Sequence, residues 1–97
     1  MSSADDMDVA DSADPMERLD ASTRKLTLHR WLAALGERQR EVIIRRFGLL
    51  GHQADTLENV GREVGLTRER VRQLQLEAIR RLRSMASSEG CDISVFF

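Results

Sequence analysis

The sequence predicts an all-α fold, a small bundle of four to five helices ending in a helix-turn-helix. Three observations support this class. Apolar residues recur at steps of three and four from Lys25 onward, which is the period of a helix. Threonines and glycines stand where the periodic segments begin and end, as helix caps do. Finally, the sequence contains no convincing run of alternating apolar and polar residues that would predict a strand.

The first two helices are predicted on either side of Gly36. The first begins near Lys25, and its apolar positions are Leu28, Trp31, Leu32 and Leu35. Their helical spacing places Trp31 in the core rather than in a partner's pocket. The second helix is expected over residues 37–47, where the apolar residues are Val42, Ile43, Ile44 and Phe47. Residues 48–55 are then a loop.

The next two helices have the pattern of a helix-turn-helix, which needs a sharp turn and a small residue where the helices cross. Thr56 is the predicted N-cap of a short helix through Val64, and Thr67 that of a long helix to about Ala86. Gly65 makes the turn and Gly61 is the small crossing residue. The inner faces are formed by Val60, Val64, Leu66, Val71 and Leu74, and continue at Ala78, Leu82 and Met85. The class is therefore winged-helix-like but without a wing.

The charge distribution divides the chain in two. Residues 1–23 hold seven acidic residues and one arginine, and we expect an acidic disordered tail or linker there. Residues 24–97 hold fourteen basic and nine acidic residues and form the predicted domain. A basic body of this kind favours nucleic acid as the ligand. Four of the last five residues are apolar (Ile93, Val95, Phe96 and Phe97), and we expect them to fold back onto the bundle rather than form an exposed patch.

The outer face of the last helix carries side chains that can read bases. Opposite the predicted core side lie Glu69, Arg72, Gln73, Leu76 and Arg80, with Arg68 in the first turn. Arginine can fork onto guanine, glutamine can pair with adenine, and glutamate can accept from cytosine. The alternative is a solvated face with internal ion pairs, Glu69 with Arg72 and Glu77 with Arg80 or Arg81. Against it, six arginines and two glutamates within residues 68–83 leave more positive charge than pairing explains.

Other classes of function find little support in the sequence. Cys91 is the single cysteine, and His29 and His52 have no ligand partners nearby, so we expect no metal site and no cofactor. Ser87 and Ser88 lack an adjacent general base, which argues against an enzyme. The longest apolar runs are too short to cross a bilayer and the N-terminus is acidic, which favours the cytoplasm over a membrane.

Three segments carry a resemblance to a known family: QREVIIRRFG (39–48), RRFGLLG (45–51) and TLENVGREVGLTRERVRQLQLEAIRRLR (56–83). Together they resemble region 4, the C-terminal promoter-recognition domain of sigma-70-family transcription initiation factors, and are nearest to the stationary-phase branch, sigma-S. The resemblance covers about residues 26–86. It implies that the domain reads the −35 promoter element, a TTGACA-like hexamer, while docked on the β-subunit flap of bacterial RNA polymerase. A cytoplasmic location, associated with the nucleoid through polymerase, follows from the same resemblance.

The resemblance also implies roles for individual residues. Those that would lie at base edges are Arg68, Glu69, Arg72 and Gln73. Those that would hold the phosphate backbone are Arg38, Arg46, Thr56 and Arg70. Those that would face transcription activators are Glu77, Arg80 and Arg83, although family members often carry a basic residue where Glu77 stands.

Two alternatives and one regulatory hypothesis remain open at this stage. A stand-alone helix-turn-helix regulator would usually dimerise, whereas the sigma-like domain is expected to be a monomer. A protein-interaction module would use its basic face on polymerase or an anti-sigma factor. The acidic segment 1–23, on a tether of roughly 25–30 Å, could compete with phosphates for the arginine face. Because the sequence contains no segment for the −10 element, we expect residues 1–97 alone not to initiate transcription.

Overall fold

The computed structural model describes residues 20–95, which fold into four α-helices and one short 3-10 helix. The helices are α1 (Ala21–Ala33), α2 (Glu37–Phe47), α3 (Leu57–Val64) and α4 (Arg68–Ser88), and the 3-10 helix covers Ile93–Val95. No strand occurs between residues 20 and 95. The all-α class is therefore confirmed, and α2, α3 and the start of α4 lie where they were expected.

Helix α1 begins four residues before its predicted start at Lys25. Its N-cap is Asp20, whose carboxylate accepts a hydrogen bond from the Thr23 backbone N–H at 2.8 Å. The first turn of this helix is polar, so it contributes nothing to the apolar periodicity on which the prediction rested. The helix also ends earlier than Gly36, at Ala33, while Leu35 remains buried in the turn that follows. The predicted disordered segment 1–23 is therefore wrong for residues 20–23, which form the N-cap and first turn of α1. Residues 1–19 lie outside the described residues, and there the acidic linker stays a prediction.

The core consists of two adjacent clusters, and α4 belongs to both. The larger cluster is built from Leu28, Trp31, Leu32, Leu35, Ile43, Ala78, Leu82, Ala86 and Ile93. The smaller cluster lies beneath the turn between α3 and α4 and comprises Val42, Val60, Val64, Val71 and Leu74. The first half of α4 thus packs on α3, and its second half packs on α1 and the end of the chain.

Glu89, the C-cap of α4, joins the C-terminal ends of α1 and α4. Arg30 donates two hydrogen bonds to its carboxylate, at 2.9 and 2.7 Å, and the Trp31 indole Nε1 donates a third at 3.0 Å. These bonds hold the pKa of Glu89 down at about 2, the arginine contributing most. Trp31 is only 2% exposed, so its expected place in the core is confirmed.

The C-terminal segment folds back after Gly90, as expected. The backbone N–H of Cys91 donates to the carbonyl of Ala86 at 2.8 Å, which reverses the chain direction after α4. Ile93 is then 4% exposed and joins the larger cluster. The fold-back is confirmed for Ile93, whereas Phe96 and Phe97 lie outside the described residues.

Candidate nucleic-acid interface

The turn between α3 and α4 is closed by a backbone contact that tolerates only glycine at position 61. The N–H of Leu66 donates to the carbonyl of Gly61 at 2.8 Å, and a Cβ on Gly61 would lie 2.5 Å from the Leu66 carbonyl oxygen. Gly65 adopts φ +75°, in the left-handed region that favours glycine. Both glycines therefore have the roles assigned to them from the sequence, and together they fix the direction in which α4 leaves α3.

The N-terminus of α4 is capped, so its first turn is well defined. The hydroxyl of Thr67 accepts a hydrogen bond from the Arg70 backbone N–H at 3.1 Å. This bond satisfies one of the donors that a helix start leaves without an intrahelical partner. The side chains of the first two turns consequently project from a backbone of fixed geometry.

The four predicted base-contact residues lie together in those two turns. All four side chains are exposed: Arg68, Glu69, Arg72 and Gln73. Arg68 and Glu69 precede the buried Val71, and Arg72 and Gln73 lie between Val71 and the buried Leu74. This alternation confirms the predicted division of α4 into an inner and an outer face. We call this set the reading surface.

Within the reading surface, Glu69 and Arg72 form a two-pronged ion pair. Arg72 donates from Nε at 3.0 Å and from Nη2 at 2.6 Å to the two carboxylate oxygens. These hydrogen bonds lower the pKa of Glu69 and raise the pKa of Arg72 from their ordinary values. The ion pair anticipated by the surface-pairing alternative therefore exists. A base that binds Glu69 or Arg72 must either break these two hydrogen bonds or bind the two side chains while they remain paired.

Gln73 has a different neighbour, Arg70. The Nη1 atom of Arg70 donates to the Gln73 Oε1 at 3.4 Å and lies 4.0 Å from the carboxylate of Glu77. Glu77 also accepts from the Gln39 side-chain amide at 3.3 Å. Glu77 thus pairs with Arg70 and Gln39, and not with Arg80 or Arg81 as the solvated-face alternative supposed. Residues seven apart lie on the same side of a helix, as residues three or four apart do, so Arg70 is within reach of Glu77. The contact with Gln39 then connects Glu77 to α2.

Arg46, Thr56 and Arg68 meet at one open cleft beside the reading surface. The cleft has a volume of about 490 Å³, and its lining is completed by Ala54, Asp55, Leu57 and Glu58. The N-terminus of α3 opens into it, and a helix N-terminus favours anions. Two predicted phosphate contacts thus lie next to a predicted base contact.

The Arg46 side chain is held in place by its own helix and by the loop. Its Nη1 donates to the Asp55 carbonyl at 3.2 Å, and its guanidinium carbon lies 5.3 Å from the centre of the Phe47 ring. Asp55 next to it keeps its charge, because hydrogen bonds from the Asn59 amide and the Thr56 N–H lower the pKa of its carboxyl. The Asp55 carboxylate repels an anion in the cleft, so it weakens the attraction that Arg46 and Arg68 exert there.

Arg38 on α2, a further predicted phosphate contact, lies next to the C-terminus of α3. Its Nη1 donates to the Val64 carbonyl at 2.9 Å, which satisfies one of the free carbonyls at the helix C-terminus. Glu41 lies 3.5 Å away, and 57% of the arginine side chain remains exposed. Arg38 thus stabilises the end of α3 while leaving part of its guanidinium accessible.

The three residues expected to face activators do not share one environment. Arg80 and Arg83 are exposed on α4, whereas Glu77 is partly buried between Arg70 and Gln39. Leu76, which is 45% exposed, lies on the same outward side as Arg80. Arg83 borders a small cleft of about 180 Å³ whose apolar lining includes Phe47, Ile79 and Ile93.

Sequence reasoning missed the polar contacts that join α4 to the turn after α1. Gln39 on α2 accepts a hydrogen bond from Arg81 Nη1 at 3.3 Å, and Arg81 Nη2 donates to the carbonyl of Ala34 at 3.0 Å. Residues so far apart in the chain give no local pattern. The one available signal is that Gln39 interrupts the charged first turn of α2 on the side facing α4.

Other kinds of site can be assessed for the described part of the chain. In residues 20–95, no group of three or more His, Cys, Asp or Glu side chains is placed to hold a metal ion. Among the helices of the same range, none has the length and apolar content to cross a membrane.

Comparisons with known proteins add an independent line of evidence. The sequence model of the family "Sigma-70, region 4" matches residues 31–84. RNA polymerase sigma factor RpoS of Coxiella burnetii is 57% identical over 63 residues, which are 65% of this chain and 18% of that protein. Sigma factor SigA4 of Synechococcus elongatus is 35% identical over 82% of this chain and 26% of its own length. Sigma factor RpoD of Helicobacter pylori is 43% identical over 82% of this chain and 12% of its own length. The chain thus spans about a quarter or less of each relative.

Proposed function

This chain belongs to the Sigma-70, region 4 family, and from that premise we propose that it recognises the −35 element of bacterial promoters as part of an RNA polymerase sigma factor. The observation that supports this most directly is the reading surface. Its four exposed side chains lie in the first two turns of a capped helix that follows a helix-turn-helix turn. The N-terminal part of such a helix is the part that enters a major groove.

Each member of the reading surface has a chemical role in this proposal. Arg68 and Arg72 offer guanidinium forks for guanine O6 and N7, and Gln73 offers the paired donor and acceptor that match adenine. Glu69 accepts from cytosine N4 when the groove presents one, and otherwise orients Arg72 through their two hydrogen bonds. This mixture of donors and acceptors suits a defined hexamer better than an arbitrary sequence.

The phosphate backbone is held by residues on either side of the reading surface. Arg46 and Thr56 line the cleft next to Arg68, so a phosphate there meets a guanidinium and the N-terminus of α3. Arg38 and Arg70 supply two further contacts through the exposed parts of their guanidinium groups. Contacts of this kind position the protein and make binding dependent on salt, but do not select the sequence.

The proposed partners follow from the same family. RNA polymerase core, through the flap of its β subunit, is the assembly on which the domain docks as a monomer. Activators would meet the exposed Arg80 and Arg83, and an anti-sigma factor would compete for the same domain. The role is one of binding, with no enzymatic step, and its place is the cytoplasm, at the nucleoid with polymerase.

The test is fluorescence anisotropy of a labelled duplex containing TTGACA and of a scrambled duplex, titrated with residues 1–97 at two salt concentrations. Arg68→Ala and Gln73→Ala should each cost about 1–3 kcal/mol on the TTGACA duplex and relax selection at one base pair. Arg46→Ala should weaken both duplexes alike and reduce the salt dependence by about one counterion.

The matched control is Lys25→Ala, which removes a positive charge from the exposed side of α1. It should leave the ratio of the two affinities unchanged. Equal affinity of the unaltered protein for both duplexes would contradict the proposal. Retention of the full preference for TTGACA by Arg68→Ala would contradict the assignment of that base contact.

A further inference from the structure

The ladder of Arg70, Gln73 and Glu77 gives Glu77 a role that its half-exposed position on α4 does not suggest. These residues are spaced by three and four, so they lie along one strip of the helix. Along this strip, the proposed DNA-phosphate contact Arg70 and the proposed base contact Gln73 lie next to the carboxylate of Glu77. Resting on the proposed function above, we propose that Glu77 sets the sequence selectivity of α4 by holding Arg70 against Gln73.

Glu77 is fixed from outside its own helix. One carboxylate oxygen accepts from Gln39 on α2 at 3.3 Å, and Gln39 in turn accepts from Arg81, which is hydrogen-bonded to the Ala34 carbonyl. Helix α2 contributes Val42 and Ile43, both 0% exposed, to the core. The carboxylate is therefore positioned by the rigid body of the domain, and its second oxygen is left facing Arg70.

Arg70 consequently has two anchors. Its Nη1 lies 4.0 Å from the Glu77 carboxylate and 3.4 Å from Gln73 Oε1, while 49% of its side chain remains exposed. The exposed part of the guanidinium is available for the phosphate contact proposed above, while Nη1 stays beside Gln73. Glu77 attracts the guanidinium by its charge and so keeps Nη1 next to the glutamine.

The orientation of Gln73 follows from the same contact. Its Oε1 atom accepts from Arg70, so its Nε2 donor points away from the arginine. The Gln73 side chain is also hydrogen-bonded to Glu69, and the two contacts together fix the amide. Adenine in the major groove presents N7 as an acceptor beside its N6 donor, so a glutamine with a fixed amide has less rotational freedom to lose on binding. Glu77 is therefore a positioning residue that acts on Gln73 through Arg70.

The experiment measures the affinity ratio between the TTGACA and scrambled duplexes for Glu77→Gln in the full 97-residue chain. The amide can keep a hydrogen bond with Gln39 but loses the charge that restrains Arg70. The ratio should fall about two- to fivefold, the range that one exposed ion pair contributes. The slope of log affinity against log salt should stay nearly unchanged, because Arg70 makes one phosphate contact in both proteins.

Two matched variants separate this role from a general effect of charge or folding. Glu63→Gln makes the same charge change at a glutamate 3.8 Å from Arg45 on the other face, and its ratio should stay unchanged. In an Arg70→Ala background, Glu77→Gln should produce no further change in the ratio, because the residue through which it acts is gone. Thermal unfolding of each variant establishes that the domain remains folded.

The outcomes distinguish this inference from the proposed function. A protein that prefers TTGACA and keeps its full ratio in Glu77→Gln would overturn the role of Glu77 while leaving −35 recognition standing. An equal fall in Glu63→Gln, or an undiminished fall without Arg70, would also overturn it. If the unaltered protein binds both duplexes equally, the proposed function fails first and this inference fails with it.

Discussion

Substitution of Gly61 by alanine tests whether the turn between α3 and α4 depends on a close backbone approach. The added Cβ would lie 2.5 Å from the Leu66 carbonyl oxygen, and Cβ atoms in proteins essentially never come closer than 3.0 Å to such a neighbour. The turn must therefore open by about half an ångström. Because the Leu66 N–H donates to the Gly61 carbonyl at 2.8 Å, the same movement strains that bond.

The expected magnitude is the sum of opposing effects. Alanine is favoured over glycine inside a helix by about 1 kcal/mol. Overpacking against backbone that cannot move away costs about 1–3 kcal/mol, and a weakened buried hydrogen bond adds roughly 0.5–1.5 kcal/mol. We expect Gly61→Ala to lower the free energy of unfolding by about 1–3 kcal/mol, and the melting temperature by about 4–8 °C for each kcal/mol.

The measurement is urea unfolding followed by circular dichroism at 222 nm, with two glycine variants as controls. Gly65→Ala has no atom within 4 Å of the new Cβ but must keep φ +75°, so it should cost about 1 kcal/mol from backbone strain alone. Gly36→Ala meets only Gln39 side-chain atoms at 3.9 Å or more and should change stability little. A Gly61→Ala protein as stable as the unaltered chain would refute the close-approach argument.

The remaining predictions concern the two ends of α4. Since the folded pKa of Glu89 is depressed to about 2 from its usual 4.5 by Arg30 and Trp31, its contribution to stability is present above about pH 4.5 and is lost as the pH falls toward 2. Glu89→Gln should therefore flatten the decline of the urea midpoint over that window, and parallel curves for the two proteins would contradict this. Thr67→Ala should lower the free energy of unfolding by about 1 kcal/mol through loss of the Arg70 N–H bond, measured by the same urea titration; an unchanged midpoint would mean that water replaces the cap.

Sequence reasoning predicted most of the helical framework because its signals are local. Thr56 and Thr67 are N-caps, Gly65 terminates α3, and Val60, Val71 and Leu74 form the inner faces as expected. Each of these positions is specified by side-chain period or by cap chemistry over a few residues. The start of α1 was wrong because a polar first turn capped by Asp20 resembles the acidic segment before it.

The site was predictable in its exposed residues but not in their pairing. Helical geometry alone places Glu69 beside Arg72, and the pair forms. It also allowed Glu77 to reach Arg80 or Arg81, and there the choice was made by α2, since Gln39 holds the carboxylate. A long side chain often has several sterically allowed partners. The choice among them depends on elements that are distant in sequence.

Helices α2 and α4 both contribute to the two clusters, and α4 packs on α3 at its start and on α1 at its end. Because α4 packs in both clusters, we expect the domain to unfold as one cooperative unit rather than as two. A perturbation of the Arg30–Glu89 ion pair therefore acts on the same helix that carries Arg68, Glu69, Arg72 and Gln73 in its first two turns, about twenty residues away. Amide exchange at the first turn of α4 would then respond to a change made at the far end of the molecule.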